Sequence, residues 1–201
     1  LSGATKPGPS FDTLRHTLVE GRLFAIVTAR GHEPESLKKA VRLFIEMALT
    51  PDAKEEMLAN LRGYRACFDR LTDFGSDEAE LEYYLALNRY HAVTNPSFKK
   101  WMSGTAKGSG AAETAKQFAV RDFVEHVIKT VSRTGDGAWR NPVSVGFSDD
   151  DPGNVTAVEK YVRAELARQF PGVKFCVYDT SDPSLNHGRK LVVSGQLDLG
   201  L

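Results

Sequence analysis

Three features of the chain predict an α/β fold with a mainly parallel central sheet. The first is a pair of short apolar runs, "LFAIVT" at 23–28 and "PVSVGF" at 142–147. Neither alternates with polar residues, which is how a strand buried on both faces reads. The second is that a helical pattern follows each run. The third is the segment 142–178, which reads strand, amphipathic helix, strand ("VKFCVY"). Its length is close to the minimum for a βαβ unit, whose crossover makes the two strands parallel.

The elements follow in order. Residues 1–10, "LSGATKPGPS", read as a loop or tail. Residues 11–20 suit a short helix with Phe11, Leu14 and Leu18 on one face, ended by Gly21. After strand 23–28, "ESLKKAVRLFIEMAL" spaces Leu37, Val41, Phe44 and Ile45 as a helix does. Pro51 and Asp52 open a further helix with Met57, Leu58 and Leu61. Ser76, with Glu80 near it, opens another over "SDEAELEYYLALN". "RYHAVTN" reads as a strand, and "SGTAKGSGAA" at 103–112 as a loop or linker. A long helical pattern runs from Glu113 to about Arg133 through Phe118, Phe123, Val127 and Val131. The helix of the βαβ unit carries Val155, Val158, Tyr161, Val162 and Leu166, and Pro171 and Gly172 stop it. "KLVVSG" adds an edge strand. The whole of 1–201 reads as one domain, with 49–110 as a small helical insertion or cap.

Composition narrows the function. Among 201 residues, 26 Lys and Arg balance 26 Asp and Glu, so no global basic excess points to nucleic acid. Cys67 and Cys176 form no CxxC pair, which argues against structural zinc and for a reduced, cytoplasmic chain. No apolar run reaches the length of a membrane span, and no signal peptide is visible. The chain opens on Leu1 rather than Met, so a processed, cut or partial polypeptide is expected.

In parallel sheets, ligands bind beyond the carboxyl ends of the strands. Strand 23–28 ends in "TARGH" and strand 142–147 in "SDDD". Adjacent carboxylates favour a hard cation, and Mg²⁺ takes one or two of them with waters and a phosphate oxygen. Asp149 and Asp150 are therefore candidate metal ligands. Asp151 also reads as the cap of the helix near Asn154. Thr28 reads equally as a turn residue, Arg30 and His32 as solvated loop residues, and Lys116 as an exposed helix lysine. Tyr83, Tyr84, Tyr90 and Trp101 read as core rather than as a substrate platform.

"FAIVTARGH", "TAKQFAVRDFV" and "VSVGFSDDDPGNV", each in its strand or helix context, resemble the haloacid dehalogenase (HAD) superfamily of phosphohydrolases over roughly 11–180. The resemblance implies a Rossmann-like three-layer sandwich. It implies a phosphorylated substrate, bound by Thr28 as the second-motif hydroxyl and Lys116 as the third-motif lysine. Lys107 and Lys129 compete for the lysine role. It implies Mg²⁺ held by the fourth motif, matched by Asp149, Asp150 and Asn154. The family's nucleophile sits in an Asp-x-Asp strand that precedes the second motif. Neither Asp12 nor Asp69 has that spacing or place. Two readings follow: a Mg²⁺-dependent phosphohydrolase acting through a phospho-aspartate whose first motif lies upstream of Leu1, or a degenerate binding or scaffold domain. The first is favoured. A nucleotide-binding enzyme is a weaker third, since no G-x-G-x-x-G follows a strand.

Overall fold

A computed structural model describes residues 9–67, 74–105, 114–131, 143–185 and 188–194. The chain is mixed α/β and divides into two compact units, one of Arg15–Ala138 and one of Leu1–Leu14 with Trp139–Leu201. Of the tail expected at 1–10, Pro9 and Ser10 instead begin a helix, and of the loop expected at 103–112, residues 103–105 instead end one; residues 1–8, 106–112 with Lys107, and Asp69 lie outside the described residues.

Helix α1 (Pro9–Val19) leads into the first unit, and Gly21 turns the chain after it with φ +61°. A Cβ there would meet the Leu61 side chain at 3.1 Å, so glycine serves both the left-handed turn and the close approach. Strand β1 (Ala25–Thr28), α2 (Pro34–Ala48), α3 (Pro51–Cys67), α4 (Asp77–Leu87) and β2 (Arg89–Ala92) follow. The β1 and β2 strands are parallel, with Ala25 opposite Arg89 and Thr28 opposite Ala92. Ser76 caps α4, its Oγ accepting from Ala79 N–H at 3.2 Å, as the sequence pattern foretells. Arg42 on α2 pairs with Glu78 and Glu82, and Lys38 with Glu82 at 3.1 Å, tying α2 to α4.

Helices α5 (Pro96–Thr105) and α6 (Ala115–Val131) complete the unit. The sequence reading contained no α5. Its start is legible in hindsight as Asn-Pro: Asn95 Oδ1 accepts from Ser97 N–H and Oγ at 2.8 Å, and Pro96 occupies the first turn. Leu18, Phe24, Ile45, Met57 and Leu85 are buried in the core. Phe24 meets Tyr84 and Tyr90 edge-on, each at 5.9 Å.

The second unit carries β3 (Val143–Asp149), α7 (Pro152–Tyr161), a π-helical turn (Val162–Leu166), α8 (Ala167–Gln169), β4 (Val173–Asp179) and β5 (Arg189–Ser194). The β3 and β4 strands are parallel, in register from Val143 with Val173 to Asp149 with Asp179, so the predicted βαβ unit is present. The β5 strand pairs antiparallel with β4 on its other side. Val155, Val158, Tyr161, Val162 and Leu166 are buried, as their spacing requires, together with Phe175 and Val177 of β4.

The expectation of one central sheet containing 23–28, 142–147 and 173–178 is met only in its class. Among the described residues the strands form two sheets, β1–β2 and β3–β4–β5. No described strand pairs with the outer edge of β1 or of β3, so neither sheet continues into the other.

Candidate functional site

The strongest candidate lies at the carboxyl end of β3 and β4. Chain direction alone brings Asp149 and Asp179 side by side, because they are the last paired residues of two parallel strands. Thr180 N–H continues the ladder by donating to the Asp149 carbonyl at 3.0 Å. Asp149 Oδ1 accepts from Asp151 N–H at 3.0 Å and from Asn154 Nδ2 at 3.2 Å. Asp151 caps α7, its Oδ1 accepting from Gly153 N–H at 2.7 Å and Asn154 N–H at 3.4 Å. The capping role expected of Asp151 is thus present, while Asp150 is exposed beside it.

Asp179 repeats the arrangement one strand over. Its Oδ1 accepts from Ser181 N–H at 3.1 Å and Ser181 Oγ at 2.6 Å, and its Oδ2 meets Arg189 at 3.1 Å. Those serine bonds, with Arg189 adding to them, hold its carboxyl below the usual carboxylate range. Asp182 is lowered likewise by Ser184. Gly188 has φ +69°, and a Cβ there would lie 2.3 Å from the Asp179 carbonyl oxygen, so only glycine fits the approach to β5. The sequence reading missed Asp179. Its signal was present: "VYDTSDPS" ends a strand in aspartate with an Asp-Pro pair close behind, as "GFSDDDPGN" does.

Thr28 and Lys116 belong to the other unit. Thr28 closes β1, and its Oγ1 accepts from Arg30 N–H at 3.1 Å, which is the turn role. Its carbonyl accepts from Val93 N–H at 2.9 Å. Val27 and Ala115, the residues before Thr28 and Lys116, pack against one cluster of Val93, Phe98, Phe118 and Ala119. The start of α6 therefore lies beside the carboxyl-terminal half of β1. Lys116 is half-buried. Asp149, Asp150 and Asn154 are gathered at one strand end, and Thr28 and Lys116 near another.

Two carboxylates at one strand end suit a Mg²⁺ ion that keeps most of its waters. Among the described residues no group of three or more His, Cys, Asp or Glu is placed to cage a metal by itself.

No family model, curated protein or solved structure matches the chain. The chemistry therefore rests on these residues. Among the described residues no helix is long and apolar enough to cross a membrane.

A second polar cluster went unread in the sequence. On β2, Arg89 and His91 share a face by strand alternation; on α6, Asp122 and His126 share one by i,i+4 spacing. Arg89 lies 3.6 Å from Asp122 Oδ2 and donates to His126 Nδ1 at 2.8 Å. The buried His91 places Nε2 3.1 Å from Asp122 Oδ2, near enough for an ion pair but off the geometry of a hydrogen bond. Burial first, then Arg89, holds His126 below its usual pKa. Of the aromatic residues expected in the core, Tyr84 is buried with its hydroxyl on the Arg22 carbonyl at 2.6 Å. Tyr90 donates to the Leu85 carbonyl at 3.0 Å, and Tyr83 stacks at a tilt on Phe74. Trp101 departs from the expectation and is 39% exposed.

Proposed function

We propose that this chain is part of a Mg²⁺-dependent phosphohydrolase of the HAD type, acting on a phosphate monoester through a phospho-aspartate. The observation that carries the reading is the end of β3. There one carboxylate, Asp149, is fixed by two hydrogen bonds, and a second, Asp150, is exposed next to it. That pairing gives a metal one oriented ligand and one adaptable ligand. Asn154 orients Asp149. Thr28 and Lys116 would bind the phosphoryl oxygens, with support from the packing of Val27 and Ala115 on one cluster. When bound, Mg²⁺ supplies charge neutralisation at the phosphoryl group.

On this reading the protein is a Rossmann-like three-layer sandwich in which β1 and β3 flank one further strand. That strand carries the Asp-x-Asp nucleophile, a pattern that does not occur before Thr28 in these residues. Among the described residues no strand pairs with the outer edge of β1 or of β3, which is compatible with this reading, since such edges are normally paired or covered. A reduced, cytoplasmic setting belongs to the same proposal, with the buried free thiol of Cys176 as its support. A degenerate binding or scaffold domain is the second reading. Thr28 favours it, because its hydroxyl already closes a turn.

Magnesium decides between them. Millimolar Mg²⁺ is expected to raise the melting temperature through preferential binding to the folded protein, and Asp149→Asn to remove the rise. The measurement is made on this chain and on the chain joined to an Asp-x-Asp strand. No rise in either sinks the phosphohydrolase reading.

A further inference from the structure

Helix α2 carries two apolar stripes. Val41 and Ile45 are buried and Leu37 and Phe44 half-buried, so one stripe faces the core. The other lies on the opposite side. Ser36, Ala40, Leu43 and Met47 are all exposed there. Their spacing of four, three and four residues keeps them in one line along the helix, as in the seam between two paired helices. Leu43 is 54% and Met47 78% exposed, the two highest values of any large apolar residue among the described ones. A lone exposed Leu or Met is ordinary, but these two share a line with two small residues.

The line has a charged border. Lys39 and Glu46 lie two turns apart on one flank of it, and both are exposed. Lys39 makes no hydrogen bond or ion pair with a described residue. Glu46 Oε1 accepts from Arg42 Nε at 3.2 Å, but Arg42 also pairs with Glu78 and Glu82 and does not depend on Glu46. The order of the two charges selects a direction. Two copies of α2 side by side and parallel would set Lys39 against Lys39 and Glu46 against Glu46. Antiparallel, about a two-fold axis at the middle of the helix, Lys39 stands level with Glu46 of the partner subunit, and the pair occurs twice. The same axis sets Leu43 against Ala40 of the partner subunit, and Met47 against Ser36 of the partner subunit. Each bulky side chain then meets a small one, which lets the helices approach closely.

We infer that the outer face of α2 is a self-association surface, on which two copies of this chain pair antiparallel through Ser36, Ala40, Leu43 and Met47 between Lys39–Glu46 ion pairs. One pair of fifteen-residue helices is small beside the roughly 1,200 Å² or more of a stable interface. The dimer is therefore weak and reversible, with a Kd on the order of 100 μM. A lipid surface fits the face less well, since it favours a basic border and this one carries one charge of each sign. The inference does not depend on the phosphohydrolase reading.

The test is sedimentation equilibrium of the chain from about 5 μM to about 0.5 mM. A monomer–dimer equilibrium is expected. Met47→Glu is expected to weaken it about tenfold or more, since it sets a charge in the middle of the apolar contact. Lys39→Glu and Glu46→Lys are each expected to weaken it about threefold, and the two together to restore it, because the ion pair re-forms with its signs exchanged. All three positions are exposed, so the variants should keep the fold, and circular dichroism checks that they do. A chain that stays monomeric at about 0.5 mM overturns the inference and leaves the face to solvent or to a helix of another protein. So does a dimer that Met47→Glu leaves intact. Association unchanged by either single charge variant, or not restored by the double variant, overturns the antiparallel pairing. Should Met47→Glu misfold, the charge variants decide alone.

Discussion

The ends of β1 and β3 look alike in sequence and behave differently in the fold. Each closes a parallel strand with a polar residue before a helix. At β3 the partners are neighbours in the chain: Asp149 with Asp151 and Asn154, Asp151 with Gly153. At β1, Thr28 also closes a local turn with Arg30, but the other partners around β1 and β2 come from far away. Asn88 Oδ1 accepts from Phe24 N–H at 2.7 Å, Thr94 Oγ1 donates to the Ala29 carbonyl at 2.7 Å, and Arg89 reaches His126. The end of β3 is built mostly by local turn chemistry, whereas the β1 and β2 strands as a whole are held largely by tertiary packing. Substitutions should therefore act locally at β3 and more widely around β2.

The largest effect expected is on the β4 core. Phe175→Ala, at a side chain only 2% exposed, should cost about 3–5 kcal/mol in denaturant unfolding. A cost below about 1 kcal/mol would mean that α7 does not rest on that strand as described. Next comes catalysis, in a polypeptide that joins these residues to an Asp-x-Asp strand. Thr28→Ala and Lys116→Ala should each lower phosphate release at least tenfold, about 1.4 kcal/mol of transition-state stabilisation. The 201-residue chain by itself should be nearly inactive. Full activity in the Lys116→Ala protein would assign the role to another lysine. Retained activity in Thr28→Ala would leave Thr28 as a turn residue only.

Smaller again is the cap of α7. Asp151→Ala should cost about 1 kcal/mol, since it leaves the Gly153 and Asn154 N–H groups without their acceptor. A neutral result would show that water satisfies the helix start as well as the aspartate does.

The contrast between local and distant partners also explains what was legible. The βαβ unit and the Asp151 cap follow from short-range rules: apolar runs, 3.6-residue spacing and Pro-Gly at the helix end. So does the Ser76 cap, and Gly21 falls where its positive φ is needed. The two-sheet arrangement does not follow, because apolar runs mark strands as buried but do not say which strands pair. Helix α5 was missed because "PSFKKWMSGT" has few apolar residues, with Phe98 alone fully buried. The Arg89–His91–Asp122–His126 cluster was missed for a different reason. Alternation on a strand and i,i+4 spacing on a helix each place two residues on one face. Nothing in the sequence says that those two faces meet.

That cluster gives the subtlest test of the comparison, a pH dependence seated in the β2 and α6 pair. Arg89 has only donors, so its 2.8 Å bond requires an unprotonated His126 Nδ1, and Nε2 then donates to the Leu87 carbonyl at 2.7 Å. Burial and Arg89 lower the pKa of His126 from its usual 6.5, while Asp122 and the Leu87 carbonyl oppose them without prevailing, and nearby His91 adds to the lowering. His126 is therefore neutral in the folded protein at pH values where the unfolded chain has begun to bind a proton. The unfolded state then takes up more protons, so stability is fully present above about pH 6.5 and declines as pH falls below it. His126→Gln cannot titrate. The fall in melting temperature from about pH 7.5 to about pH 5.5 should be smaller in that variant than in the unchanged protein. An equal fall would place the acid sensitivity elsewhere. A larger fall in the variant would mean that His126 is protonated in the fold, and that the Arg89 contact does not form.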